Sequence, residues 1–184
     1  MEQVHVMDGA QLKAVMRHVP SPVTVLTTAM HGEIRGATIG SFTSVSLDPP
    51  LISFNVQHGT QMHDALVDAP WYTVHILADT QAYLSNHFAI PNRSGDEQFA
   101  SVPHHLDANG IPVLDESLAV LACRAYRMFE AGDHTVCIGE VIRVEAPDGE
   151  AQPLIYFDRS YRAIGNEVQS VLLSSTNRGS NASE

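Results

Sequence analysis

The sequence predicts a mainly β, α+β fold: an antiparallel β-barrel carrying short helical insertions. Three observations point there. Short β-branched and apolar runs recur at hairpin spacing, separated by Gly, Pro, Asn and Asp. Helical periodicity is confined to brief stretches. Strands do not alternate with long helices and no Gly-x-Gly-x-x-Gly comes after a strand, which disfavours a doubly wound parallel sheet.

From the N-terminus, Asp8 reads as a helix cap with Gln11 at the box position, and Leu12, Val15, Met16 and Val19 form one apolar stripe that Pro20 and Pro22 end. Val23–Thr28 is β-branched and strand-like, and His31-Gly32 turns it back into Ile34–Ile39. Strands are expected at Phe42–Leu47 and Leu51–Val56, with Pro49 and Pro50 fixing the turn between them. Thr60 can cap a short helix beginning at Gln61. Trp71–Leu77 reads as a strand leading to a second helix, capped by Asp79 and ending near Phe88. Residues 89–116 are rich in Pro, Gly, Asn and charge and read as a long loop, with the stretch from Ala89 to Pro112 a candidate lid. Leu118–Met128 and Thr135–Val144 form an antiparallel pair around Gly132-Asp133-His134, and Leu154–Phe157 is a last short strand. From Ser174 the composition is that of a solvated, disordered tail.

Length and charge bound the function. At 184 residues, 44% hydrophobic and 17% charged, the chain suits one globular domain with a real core. Ten Lys plus Arg against 21 Asp plus Glu give a net charge of −11, which argues against nucleic-acid binding. Lys13 is the only lysine, so an anionic ligand must be held by arginines, hydroxyls or backbone amides. No apolar run is long enough to span a bilayer and the start lacks signal-peptide character, so a cytoplasmic protein is expected. Cys123 and Cys137 lie in apolar strand-like runs and read as buried free thiols. His104-His105 has no Cys partner and no i,i+4 spacing, so no metal site is expected.

The densest signal is Gly36-Ala37-Thr38-Ile39-Gly40-Ser41-Phe42-Thr43-Ser44-Val45-Ser46-Leu47-Asp48-Pro49-Pro50-Leu51. Small residues let a ligand lie against the backbone, and hydroxyls and free amides can bond its polar edge. Taken alone, the run is also an ordinary Ser- and Thr-rich strand pair whose hydroxyls bond neighbouring backbone. Read together with Val74-His75-Ile76-Leu77, Leu84-Ser85-Asn86-His87-Phe88, Gly110-Ile111-Pro112, Gly132-Asp133-His134 and Pro153-Leu154-Ile155-Tyr156 with Tyr161, it resembles the short-chain flavin reductase family. Those are split-barrel flavoproteins in which a reduced nicotinamide reduces FMN or FAD.

The resemblance covers residues 8–165, leaving 166–184 as a C-terminal tail. It implies an FMN-binding split barrel, a homodimer, and an NAD(P)H-dependent flavin reductase that supplies a separate monooxygenase component. It places Thr38, Ile39, Gly40 and Ser41 along the isoalloxazine ring, where preorganised donors stabilise charge gathered at its pyrimidine edge. Ser44 and Asn55 would bond the ribityl chain, and Thr60 and Gln61 the phosphate, in agreement with the anion affinity of a helix N-terminus. Phe88 would close the flavin site. His134 would sit beside the nicotinamide as the catalytic-site histidine, with Tyr161 on the same side. Arg35 is the nearest cation to the glycine-serine run.

Two departures stand out. His58 occupies a position where relatives often carry lysine, and Asp158-Arg159 replaces a common Arg-Gly. They keep open a non-catalytic flavin-binding protein, or a flavoprotein that reduces another acceptor such as a ferric complex or corrinoid. FMN is the expected flavin with FAD possible, and NADH or NADPH the co-substrate.

Overall fold

In the computed structural model, which describes residues 7–146 and 151–166, the chain opens with α1 (Gly9–Met16) and β1 (Ser21–Pro22). β2 (Thr24–Met30), β3 (Glu33–Ile39), β4 (Thr43–Leu47) and β5 (Pro50–Gln57) come next. After them lie α2 (Gln61–Asp68), β6 (Trp71–Ile76), a 3-10 turn (Asp79–Gln81), α3 (Ala82–Phe88) and α4 (Gly95–Phe99). β7 (His104–Leu106), β8 (Pro112–Leu114), β9 (Ala119–Ala131), β10 (His134–Glu145), β11 (Ile155–Phe157) and β12 (Ser160–Arg162) complete it. The expected tail lies outside the described residues from residue 167 onward.

Seven strands form one antiparallel sheet in the order β3-β2-β6-β9-β10-β5-β4. β3 and β4 end the sheet without pairing to each other, so the barrel is split between them. β1, β11 and β12 form a small second sheet, and β7 and β8 a hairpin. This is the mainly β, antiparallel architecture with short helices that the sequence predicts.

β2 is buried along Thr24–Thr28 because both of its faces are covered, which is why its sequence does not alternate. Leu26 joins a core with Ile52, Phe54, Tyr72, Cys123 and Cys137. Val23 and Val25 join a second core with Leu77, Leu84, Phe88, Phe99 and Leu114. The threonines between them survive burial because each hydroxyl donates to a backbone carbonyl: Thr24 to Ile39 (2.9 Å), Thr27 to Pro112 (2.6 Å) and Thr28 to Trp71 (2.9 Å).

The capping box at α1 forms, with the Asp8 side chain accepting from the Ala10 amide and Gln11 from the Asp8 amide. Its apolar stripe, however, stays exposed. Three other expectations need correcting. Residues 89–116 are not a plain loop. α4 and the β7–β8 hairpin lie within them, and Phe99, Val102 and Leu114 are core residues. Asp79 does not cap the second helix; a 3-10 turn intervenes, and Gln81 folds back so that its Oε1 accepts from the Ala78 amide at 2.9 Å. The last strand is a hairpin, β11–β12, whose turn places Asp158 and Arg159 at φ 46° and 62°.

α4 covers the exposed edge of β3. Gln98 is buried and grips Gly36 at both backbone groups: its Oε1 accepts from the Gly36 amide at 3.0 Å and its Nε2 donates to the Gly36 carbonyl at 2.9 Å. A sheet edge that would otherwise offer free amides is thereby closed.

Candidate active site

A cavity of about 800 Å³ opens where β3 faces β5 across the split in the barrel. Its walls come from residues 35–41 of β3 and its continuation, 55–57 of β5, 59–62 at the start of α2, 88–92 after α3, and Ala131, His134 and Val136 of the β9–β10 hairpin. The size suits a small-molecule site. Of the residues singled out in sequence, Thr38, Ile39, Gly40, Ser41, Asn55, Thr60, Gln61, Phe88 and His134 all line it. Segments almost a hundred residues apart in sequence thus share one space.

Ser44 and Tyr161 do not line the cavity. Ser44 sits exposed on β4 opposite Ile52. The Tyr161 hydroxyl donates to Ser85 Oγ at 2.8 Å, and Asn86 Oδ1 lies 3.1 Å away, so it pins β12 to α3.

Several expected hydroxyls are already engaged. Thr38 donates to the Ser85 carbonyl at 2.7 Å. Ser41 Oγ accepts from the Asn55 amide at 2.8 Å and bridges the split. Thr60 donates to the Gln57 carbonyl at 2.8 Å and caps α2 by accepting from the His63 amide at 3.2 Å. Nearby backbone wins these hydroxyls because it is already in place on folding. What remains for a ligand is the backbone amides of Gly40 and Ser41, the first-turn amides of Gln61 and Met62, and the side chains of Arg35, Asn55, Gln57, Gln61 and His134.

Gly36 has no room for a side chain, since an added Cβ would stand 2.5 Å from the Phe88 ring. Phe88 itself is buried against Phe99 at 5.3 Å and still reaches the cavity wall, so its core and site roles coincide. Gly59 supplies the left-handed backbone, φ 73°, that swings the chain from β5 into α2.

His134 is half-buried, and its Nδ1 donates to the Asp133 carboxylate at 2.7 Å. That bond holds the Asp133 carboxyl below the usual carboxylate range, aided by the charge His134 can carry. With Nδ1 engaged, the other ring nitrogen is the one available to a ligand. His58 turns away from the cavity: its Nε2 lies 2.9 Å from Thr135 Oγ1, and His63 Nε2 lies 3.0 Å from the same oxygen. A hydroxyl has one proton, so at least one of these imidazoles donates into it. Arg35 does reach the cavity wall, with its guanidinium bonded to Glu33 at 2.5 Å.

Gln98, Ile90, Pro91 and Asn92 also line the cavity; sequence reasoning placed them only within a candidate lid and singled none of them out. Their segment carried no motif, only the composition of a loop.

Comparison with known proteins gives a consistent result. A sequence profile described as "Flavin reductase like domain" matches residues 16–165. An NADH-dependent FAD reductase of Streptomyces globisporus is 40% identical over 143 residues, 77% of this chain and 78% of that protein. The reductase component of 4-nitrophenol 4-monooxygenase/4-nitrocatechol 2-monooxygenase from Rhodococcus opacus is 37% identical over 151 residues, 82% and 78% of the two chains. Among solved structures, the NADH:FAD oxidoreductase SgcE6 of Streptomyces globisporus C-1027, in complex with NAD and FAD fragments, superposes with a TM-score of 0.81. It is 33% identical, over 92% of this chain and 100% of that one.

Proposed function

The chain belongs to the flavin reductase like family, and on that premise we propose that it is an NAD(P)H:flavin oxidoreductase acting on FMN or FAD. The carrying observation is that the Thr38–Ser41 backbone and His134 line one cavity.

The residues present fit such a ligand. The Gly40 and Ser41 amides offer donors to the polar edge of a planar ring, and Gly36 with Phe88 gives it a flat, close wall. The Gln61 and Met62 amides at the positive end of α2, with Arg35, suit its phosphate. A bound flavin supplies the ring that accepts hydride from the reduced nicotinamide. Asp133 fixes the orientation of His134, and His134 in turn positions the nicotinamide and attracts the dinucleotide's phosphates when protonated.

The test is anaerobic. Purified protein with flavin and NADH is expected to bleach the flavin absorbance. His134→Ala should lower kcat/KM for NADH about tenfold or more and leave the flavin Kd within about twofold. An unchanged rate and nicotinamide affinity would remove His134 from the reaction. Flavin retained without bleaching by either nicotinamide would mark a binding protein instead.

Supply of reduced flavin to a separate monooxygenase fits the relative from Rhodococcus opacus, itself a reductase component. A homodimer fits the apolar side chains left uncovered on α1, β4, β9 and β10. A cytoplasmic setting fits two unpaired, buried thiols. No helix among the described residues is long and apolar enough to cross a membrane.

A further inference from the structure

Beside the main cavity lies a second cleft of about 380 Å³. Met30, His31 and Glu33 of the β2–β3 hairpin form one wall, and Asp64 and Ala65 of α2 the other. Arg35 and Gln61 line both spaces and so form the threshold between them. This threshold is the end of the main cavity where the α2 amides suit a phosphate. Taking the flavin reading above as given, a ligand ending in a phosphate would stop at the threshold. One that continues past it would enter the second cleft.

The chemistry of the cleft favours continuation. Among the described residues Arg35 is the only Lys or Arg lining either space, and Glu33 already holds its guanidinium at 2.5 Å. Asp64 adds a second carboxylate. A terminal phosphate monoester carries close to two negative charges at neutral pH and meets these carboxylates unfavourably. The diphosphate of FAD carries about the same total, one charge on each of its phosphorus atoms, so charge alone does not separate the two flavins; what separates them is the adenosine, which is neutral. Ribose hydroxyls and an exocyclic amine are donors, the groups that two carboxylates accept. Met30, Ala65 and the His31 ring offer polarizable or apolar surface to a purine.

We propose that this cleft is the subsite for the adenylate half of FAD, and that Glu33 and Asp64 bias the protein toward FAD over FMN. NAD(H) carries the same adenylate. Its nicotinamide, however, is assigned to the His134 side of the main cavity, away from this threshold.

Equilibrium binding tests the assignment without reference to turnover. Riboflavin, FMN, FAD and NAD⁺ are titrated against the full chain by fluorescence. The wild type is expected to hold FAD about tenfold or more tighter than FMN. Ala65→Phe, which fills the cleft from the α2 side, should weaken FAD about tenfold and leave FMN within about twofold. Glu33→Gln and Asp64→Asn, both at exposed carboxylates, should lower the ratio of FAD to FMN affinity several-fold; they carry the test if Ala65→Phe melts early. Equal FAD and FMN affinities in the wild type, or an Ala65→Phe effect on both flavins or on neither, would overturn the subsite. An effect on NAD⁺ in place of FAD would hand the cleft to the dinucleotide. Failure of riboflavin, FMN and FAD alike to bind would overturn the flavin reading itself.

Discussion

His75 is fully buried on β6 and has both ring nitrogens occupied. Nδ1 donates to the Val25 carbonyl at 3.0 Å, and Nε2 accepts from the Leu114 amide at 3.1 Å. That pair of bonds requires the neutral ring, and burial lowers its pKa to about 4. The unfolded chain binds the proton more readily, so stability is present above pH 6.5 and is lost as pH falls toward 4. The loss is ~3 kcal/mol over that window. Urea melts at several pH values are expected to show it, and His75→Gln should flatten this part of the pH profile while lowering stability at pH 7. The junction of β6, β2 and β8 thus holds one protonation state.

Among the elements, β6 meets β10 over the intervening β9 through an unusually close approach. A Cβ on Gly139 would collide with the Tyr72 hydroxyl oxygen, which is buried and has no hydrogen-bond partner among the described residues. Burial pushes the Tyr72 hydroxyl far above its ordinary pKa. Gly139→Ala should therefore cost about 1–3 kcal/mol in a denaturant melt. Tyr72→Phe removes an unsatisfied hydroxyl and should be close to neutral on its own. Combined, the two should recover most of the loss, and additive effects would show that the clash lies elsewhere.

The same elements show what could be read from the sequence. β2 through β6 were legible because Val, Ile and Thr cluster between unmistakable turns at His31-Gly32 and Asp48-Pro49-Pro50. α4 and β7–β8 were not, because elements of three to five residues bring Phe99, Val102 and Leu114 into the core without establishing any period. The β11–β12 hairpin escaped notice because Asp158 and Arg159 adopt left-handed backbone that turn rules reserve for Gly and Asn. Most of the residues singled out in sequence line the cavity, because one motif-bearing strand and its continuation deliver Thr38–Ser41 together. The fates of individual hydroxyls, and of His58, depended on partners such as Ser85, Asn55 and Thr135 that only tertiary register brings near.

At the scale of the whole molecule, α1 contributes no buried residue, and Leu12, Val15 and Met16 are each more than half exposed. A helix of eight residues has little stability of its own, so this face needs cover. On the sheet, Leu47 at 88% exposure and Phe129 are also left uncovered. Sedimentation equilibrium is expected to give about twice the 20.0 kDa chain mass, and Val15→Glu with Met16→Glu to shift it toward the monomer. A monomeric wild type at micromolar concentration would contradict this. The net charge of −11 sets an overall field that opposes the approach of any anionic ligand. The interior sulfurs have their own consequence. Cys123 and Cys137 sit among apolar side chains that push their thiols up to about 12 and about 11, so neither ionises at physiological pH. Reduced flavin that meets oxygen before it meets a partner yields hydrogen peroxide, and only a thiolate reacts readily with that oxidant. A catalyst of this kind makes its own corrosive by-product, and these two sulfurs are kept in the form that such a by-product leaves alone.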